Sequence, residues 1–99
     1  MKIKVTQEEE KTTLALSGKL DATTSPTLQD ALMPQLGVNK HVELDLAKLV
    51  YTSSAGLRVF LMGEKTAKAQ GGRLTLVNVS PEVMEVFEMT GFSGILHIE

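Results

Sequence analysis

His41-Val42-Glu43-Leu44-Asp45-Leu46-Ala47-Lys48-Leu49-Val50-Tyr51-Thr52-Ser53-Ser54-Ala55-Gly56-Leu57-Arg58 is the stretch on which the fold turns. Val42, Leu44 and Leu46 alternate with polar residues, so His41 to Leu46 is expected to be a strand with one buried face. Leu49 and Val50 carry the apolar character onward, and Ser53-Ser54-Ala55-Gly56 breaks it. From Ala55 to Gln70 the spacing is helical, and Gly71-Gly72 closes it. Arg73 to Val79 then reads as another strand. Strand, helix and strand in succession call for parallel pairing with a helical crossover.

Upstream, Ile3 to Val5 alternates with lysines and reads as a strand, Glu8 to Lys11 as a polar turn, and Thr12 to Leu20 as a second strand with Leu14 and Leu16 at period two. The two are expected to form a hairpin, with Gly18 marking a bulge or strand exit. Ser25-Pro26 predicts a helix start, a hydroxyl cap followed by proline at the first helical position. Leu28, Ala31 and Leu32 supply the apolar stripe. Pro34 is expected to end or kink that helix, leaving Gly37 to Lys40 as a loop. Downstream, Ser80-Pro81 repeats the hydroxyl-proline start, Val83, Val86 and Phe87 follow at helical spacing, and Gly91 fits the helix end. Ile95 to Ile98 is expected to be a last short strand. The order β-β-α-β-α-β-α-β predicts one α/β domain over residues 1–99, with a mixed sheet of four to five strands and helices packed mainly on one face.

The 99 residues suit a single domain, and a 42% hydrophobic content allows it a core. The absence of cysteine excludes disulfides and thiol chemistry. The net charge is −2, and the lysines are scattered among acids, so no basic footprint for nucleic acid is present. No apolar run is long enough to span a bilayer, and Gln7-Glu8-Glu9-Glu10 interrupts the amino terminus too early for a signal peptide. A cytoplasmic location is the expectation. No metal-ligand or cofactor pattern stands out. Gly71-Gly72 lacks the lysine and hydroxyl of a phosphate loop.

On a helical wheel, Ala55, Val59, Met62, Thr66 and Ala69 share an arc that Phe60, Gly63 and Ala67 widen, and this arc is expected to face the sheet. Arg58, Glu64, Lys65 and Lys68 lie opposite, with Leu57 and Leu61 among them, one turn apart. This leucine pair is either part of a broad core stripe or a small contact patch with a charged rim. Ser54 is well placed to cap the helix, a role worth about 1 kcal/mol. A phosphate there would sit at the positive end of the helix and add about two negative charges, tolerable to the fold yet repulsive to a partner on Leu57 and Leu61. Gly56 keeps the approach to Ser54 open. Spacing alone favours the cap.

A serine hydrolase is the competing class. The nucleophile elbow needs Gly-x-Ser-x-Gly, and Thr52 stands where its first glycine belongs. His41 and His97 have no motif around them. The expectation is a protein that is not an enzyme.

Val42-Glu43-Leu44-Asp45-Leu46 followed by Tyr51-Thr52-Ser53-Ser54-Ala55-Gly56-Leu57-Arg58 resembles the signature of STAS domains, and more narrowly the bacterial anti-sigma factor antagonists. Gly18-Lys19-Leu20-Asp21 with Thr24, Gly71-Gly72-Arg73-Leu74 and Val86-Phe87-Glu88-Met89-Thr90-Gly91-Phe92 extend the resemblance over nearly the whole chain. It implies a phosphorylation switch, and no cofactor is expected. The unphosphorylated protein binds an anti-sigma factor that is a GHKL-type serine kinase, the sigma factor is released, phosphorylation breaks the complex, and a PP2C-type phosphatase resets it. Aligned on Gly56-Leu57, the first serine of the family's Asp-Ser-Ser-Gly-Leu motif, its phosphoacceptor, falls on Ser54. The motif's aspartate falls on Ser53 and its second serine on Ala55, so Ser53 bears on kinase recognition or acts as a decoy acceptor. Asp21 matches the family's loop aspartate, and it and Thr24 are each either a partner contact or a turn or cap residue. The implied partner surface is Asp21, Thr24, Ser53, Gly56, Leu57, Arg58 and Leu61. STAS domains also serve in stressosome-like assemblies, lipid-transport complexes and anion transporters, which keeps a subunit of such a complex as the alternative.

Overall fold

The computed structural model describes residues 1–99. Its four strands, β1 (Lys2–Gln7), β2 (Thr12–Leu20), β3 (His41–Thr52) and β4 (Arg73–Val77), lie in that order across one sheet. β1 pairs antiparallel with β2, while β2–β3 and β3–β4 are parallel. The crossovers are α1 (Ser25–Val38) and α2 (Ser54–Ala69), and α3 (Pro81–Thr90) follows β4. This is the mixed sheet with the opening hairpin that the sequence predicts. The last expected strand is reduced to one bridge, Leu76 with Ile98, after a 3-10 turn at Phe92–Gly94.

Leu14, Leu16, Val42, Leu44, Leu46, Leu74 and Leu76 line one face of the sheet and are buried under the helices. Leu28, Leu32 and Leu36 of α1 and Val59, Phe60 and Ala67 of α2 complete this core. Phe60 meets Phe87 of α3 edge to face, ring centroids 5.7 Å apart, so the aromatic pair ties α2 to α3.

Three expectations are corrected. β3 does not stop at Leu46: it continues to Thr52, because a register shift against β2 after Ala15–Asp45 moves the buried positions onto Leu49 and Thr52. A second shift follows between Gly18, at a φ of 104°, and Lys19, and β2 continues to Leu20, so of the two expectations for Gly18 the strand exit is excluded. α1 runs through Pro34 to Val38, taking in Gly37. Pro34 lies on the exposed side, and buried Leu32 and Leu36 hold the turns on either side against the core. Ser25 is not the cap of α1 but its first residue, and its hydroxyl donates to the Asp21 carbonyl at 2.6 Å.

The entrance to α2 as a candidate functional site

β2 and β3 are parallel neighbours, so their carboxyl ends open on the same side of the sheet, where open α/β sheets form their binding crevices. Leu20 pairs with Thr52 there, and the Ser53 amide donates to the Leu20 carbonyl at 2.8 Å. The turn after β2 and the start of α2 are thereby bound together.

Asp21 organises that turn. Its Oδ1 accepts from the Thr23 hydroxyl at 2.7 Å, the Thr23 amide at 3.0 Å and the Thr24 amide at 3.1 Å. The Thr23 hydroxyl, then the Thr24 amide, hold the carboxyl below its ordinary value, against a smaller opposing desolvation. Asp21 is thus a fixed anion. Thr24 precedes α1 but makes no side-chain cap bond. Its hydroxyl instead donates to the Lys19 carbonyl at 2.9 Å and accepts from the Asp21 amide at 2.8 Å, bracing the strand end.

The cap of α2 is Ser53, not Ser54. Ser53 has extended backbone, φ −95° and ψ 175°, and its Oγ accepts from the Gly56 amide at 3.3 Å. Ser54 is one residue further on, the first residue of the helix, and exposed. No acid occupies the first turn of α2, so nothing of its own helix offsets the positive N-terminal end. Gly56 is required by contact. A Cβ there would lie 2.5 Å from Thr52 Oγ1 and 2.6 Å from Leu20 Cδ2.

The face of α2 on the core also differs from the expected arc. Gly56, Val59, Phe60, Gly63 and Ala67 are buried, with Leu57 and Glu64 on the flank, while Met62 and Ala69 are exposed. Gly56 and Gly63 mark the seam: a Cβ on Gly63 would lie 2.9 Å from Leu74 Cδ2 and 3.0 Å from Leu32 Cδ2. A count of apolar side chains misses a face whose centre is glycine. Leu57, 6% exposed, is part of the core rather than of a surface patch. Glu64, expected on the solvent face, is buried, its carboxylate 3.7 Å from Lys68 Nζ.

Ser54, Arg58, Leu61 and Lys65 remain together along the outward face of α2, with Leu61 half-buried and Met62 (39% exposed) beside it. Met62 was missed as a surface residue, and so was the exposure of Val50 and Tyr51 at the end of β3. The break in period two after Leu46 was the available signal for those two.

A family model described as "Mlab, STAS domain" matches residues 3–97. The anti-sigma-B factor antagonist of Bacillus subtilis is 31% identical over 96 residues, covering 97% of this chain and 88% of that protein. Two solved structures share the fold. The anti-sigma factor antagonist SpoIIAA in its unphosphorylated form superposes with a TM-score of 0.77 at 19% identity, over 99% of this chain and 87% of that one. The Bacillus cell fate determinant SpoIIAA in the phosphorylated form gives 0.77 at 20% identity, over 99% and 91%. Sequence match and fold agree along almost the entire length, and the chain belongs to the STAS domain family.

Proposed function

We propose that this chain is an anti-sigma factor antagonist that acts by partner switching, with Ser54 as the switch. It is a regulatory binding protein and not an enzyme. In its unphosphorylated form it binds an anti-sigma factor serine kinase of the GHKL ATPase type, and the sigma factor is released. Phosphorylation of Ser54 ends the binding, and a PP2C-type phosphatase restores it.

The observation that carries this reading is the division of labour between the two serines. Ser53 makes the cap hydrogen bond, so the Ser54 hydroxyl is not needed to hold the helix and stands exposed at its first residue. A phosphate on Ser54 would meet the free amides and positive end of α2, at no expense to the cap. The same two charges would lie at the head of the surface formed by Arg58, Leu61 and Met62, one residue past the Ser53 amide that ties α2 to the end of β2 at Leu20. A partner with acidic groups in this neighbourhood would be repelled by the modification and not by the bare hydroxyl. Ser53 precedes the acceptor, and the Asp21 turn follows the Leu20 carbonyl that the Ser53 amide binds; both suit recognition by the kinase. Leu57 and Gly56 act from beneath, setting the height of α2 on the sheet.

The test is incubation with the cognate kinase and ATP, followed by mass spectrometry. One phosphate on Ser54 is expected, Ser54→Ala should bind the kinase whether or not ATP is present, and Ser54→Asp should bind weakly. A phosphate on Ser53 or Thr52 overturns the assignment. A pull-down that retrieves a membrane ATPase complex, and no kinase, would favour the transport-subunit alternative.

A further inference from the structure

β1 is the open edge of the sheet: it pairs with β2 on one side and with nothing on the other. An unpaired edge is a template for another strand, and lysines along it usually serve to keep strands apart. Here the charges change sign along the edge. Lys2 and Lys4 occupy its first half, and Glu8, Glu9 and Glu10 follow its end. The three ion pairs within the chain, Lys11–Glu43, Lys68–Glu64 and His97–Glu99, use none of these residues.

From this pattern we infer that β1 is a self-complementary edge that pairs antiparallel with β1 of a second copy, about a two-fold axis through Val5. Residues on the two strands then face each other when their numbers sum to ten. Lys2 of each copy meets Glu8 of the other, Lys4 meets Thr6, Ile3 meets Gln7, and Val5 meets Val5. The parity is right. Lys2, Lys4 and Thr6 share the face of the sheet away from the helices, and Glu8, just past the strand end, comes next at the same spacing, while Ile3 packs towards the core and Gln7 hydrogen-bonds Gln35 of α1 at 2.8 Å. Opposite charges thus meet on the open face, at the cross-strand spacing where such pairs attract. On the helix face the pairing covers Val5, an apolar side chain left 43% exposed in the single copy. A parallel arrangement would set lysine against lysine, so the charge order selects the antiparallel one. The contact is isologous, closes on itself and forms no fibre. β1 lies at the opposite edge of the sheet from β4, against which α2 packs, so a dimer built this way leaves both Ser54 surfaces free.

A charge swap tests the pairing. Sedimentation equilibrium of the wild type at low salt should give twice the 10.7 kDa of one chain, falling towards one chain as salt screens the pairs. Lys2→Glu places two glutamates opposite two glutamates, and Glu8→Lys places two lysines opposite two lysines. Each variant alone should raise the dimer dissociation constant by about tenfold or more. An equimolar mixture of the two should restore the dimer, and so should the double variant Lys2→Glu with Glu8→Lys. Both positions are exposed, and circular dichroism verifies that the variants are folded. A monomeric wild type at every concentration overturns the inference and leaves the lysines as guards of a solitary edge. Dimers indifferent to either single substitution overturn it too, as does a mixture that fails to re-form them.

Discussion

Helices α2 and α3 begin with the same cap and a different first residue. Ser53 Oγ accepts from the amide of Gly56 at 3.3 Å, and Ser80 Oγ accepts from the amide of Val83 at 3.3 Å. After Ser80 comes Pro81, whose fixed φ suits a first helical residue and whose missing amide hydrogen is no loss there, and then Glu82, which faces the positive helix end. After Ser53 comes Ser54, and no acid follows in that turn. α3 is started by residues that serve structure alone. α2 has the same cap, but its first residue contributes a hydroxyl to the surface and its first turn supplies no acid to face the positive helix end. That difference, more than the presence of a serine, is what distinguishes a candidate modification site from a helix start.

The two entrances also differ in depth, and the largest expected effects probe this. The fourth residue after the cap is Leu57 in α2, buried, and Met84 in α3, only half-buried. Leu57→Ala should cost about 3 kcal/mol in urea unfolding, with Met84→Ala the smaller loss. A cost under about 1 kcal/mol at Leu57 would favour the contact patch, the other of the two readings that the wheel leaves open. The third residue is Gly56 in α2 and Val83 in α3. Gly56→Ala forces a methyl group onto Thr52 Oγ1 and Leu20, and should cost about 2 kcal/mol although alanine is the better helix former. A neutral or stabilising result would show that α2 can lift off the sheet at its start.

The caps come next. Ser53→Ala and Ser80→Ala should each cost about 1 kcal/mol, whereas Ser54→Ala should stay within about 0.5 kcal/mol. Equal losses at Ser53 and Ser54 would erase the division of labour between them. The entrance to α1 works differently again, through Asp21. Its carboxyl is held below the ordinary value by Thr23 and Thr24, so its contribution is present above that value and is lost as pH falls through the depressed one. Asp21→Asn should therefore be less stable than the wild type at neutral pH, with the gap closing in acid. A gap that is constant with pH would show that the charge is not what the turn uses.

Much of this was legible in the sequence because the signals were local. Alternation in Leu14–Leu16 and Val42–Leu44–Leu46 predicted strands, and the hydroxyl-proline pair at Ser80-Pro81 marked the start of α3. What escaped depended on distant residues. Pro34 was expected to end or kink α1, and the helix does not end there, because core contacts of Leu32 and Leu36 outweigh one missing hydrogen bond. The choice between Ser53 and Ser54 as cap turns on where β3 ends, and the strand runs past the break in its own pattern to Thr52. The buried face of α2 was hidden because its centre is Gly56 and Gly63, residues that carry no hydrophobic signal and are needed because Leu20, Leu32 and Leu74 come so near. Family resemblance points to Ser54 as the implied acceptor without resolving any of this, since alignment on Gly56-Leu57 needs no knowledge of the cap.

The smallest expected effect on stability is the most discriminating. Ser54→Pro gives α2 the start that α3 already has. Ser53, which would precede the new proline, is already in the extended region that proline requires of its neighbour. The amide lost at Ser54 is one of those that a helix leaves without an internal partner. The substitution should therefore be neutral or stabilise by up to about 0.5 kcal/mol, chiefly by restricting the unfolded chain. It should also abolish phosphorylation at this position while leaving the Arg58–Leu61–Met62 surface in place, so the variant should capture the kinase as Ser54→Ala does, with ATP present or not. Destabilisation by more than about 1 kcal/mol would mean that the first residue of α2 has a structural duty that Pro81 does not have in α3. A stable variant that no longer binds would mean that the partner reads the Ser54 hydroxyl itself, and the switch would then depend on loss of a contact as much as on gain of charge.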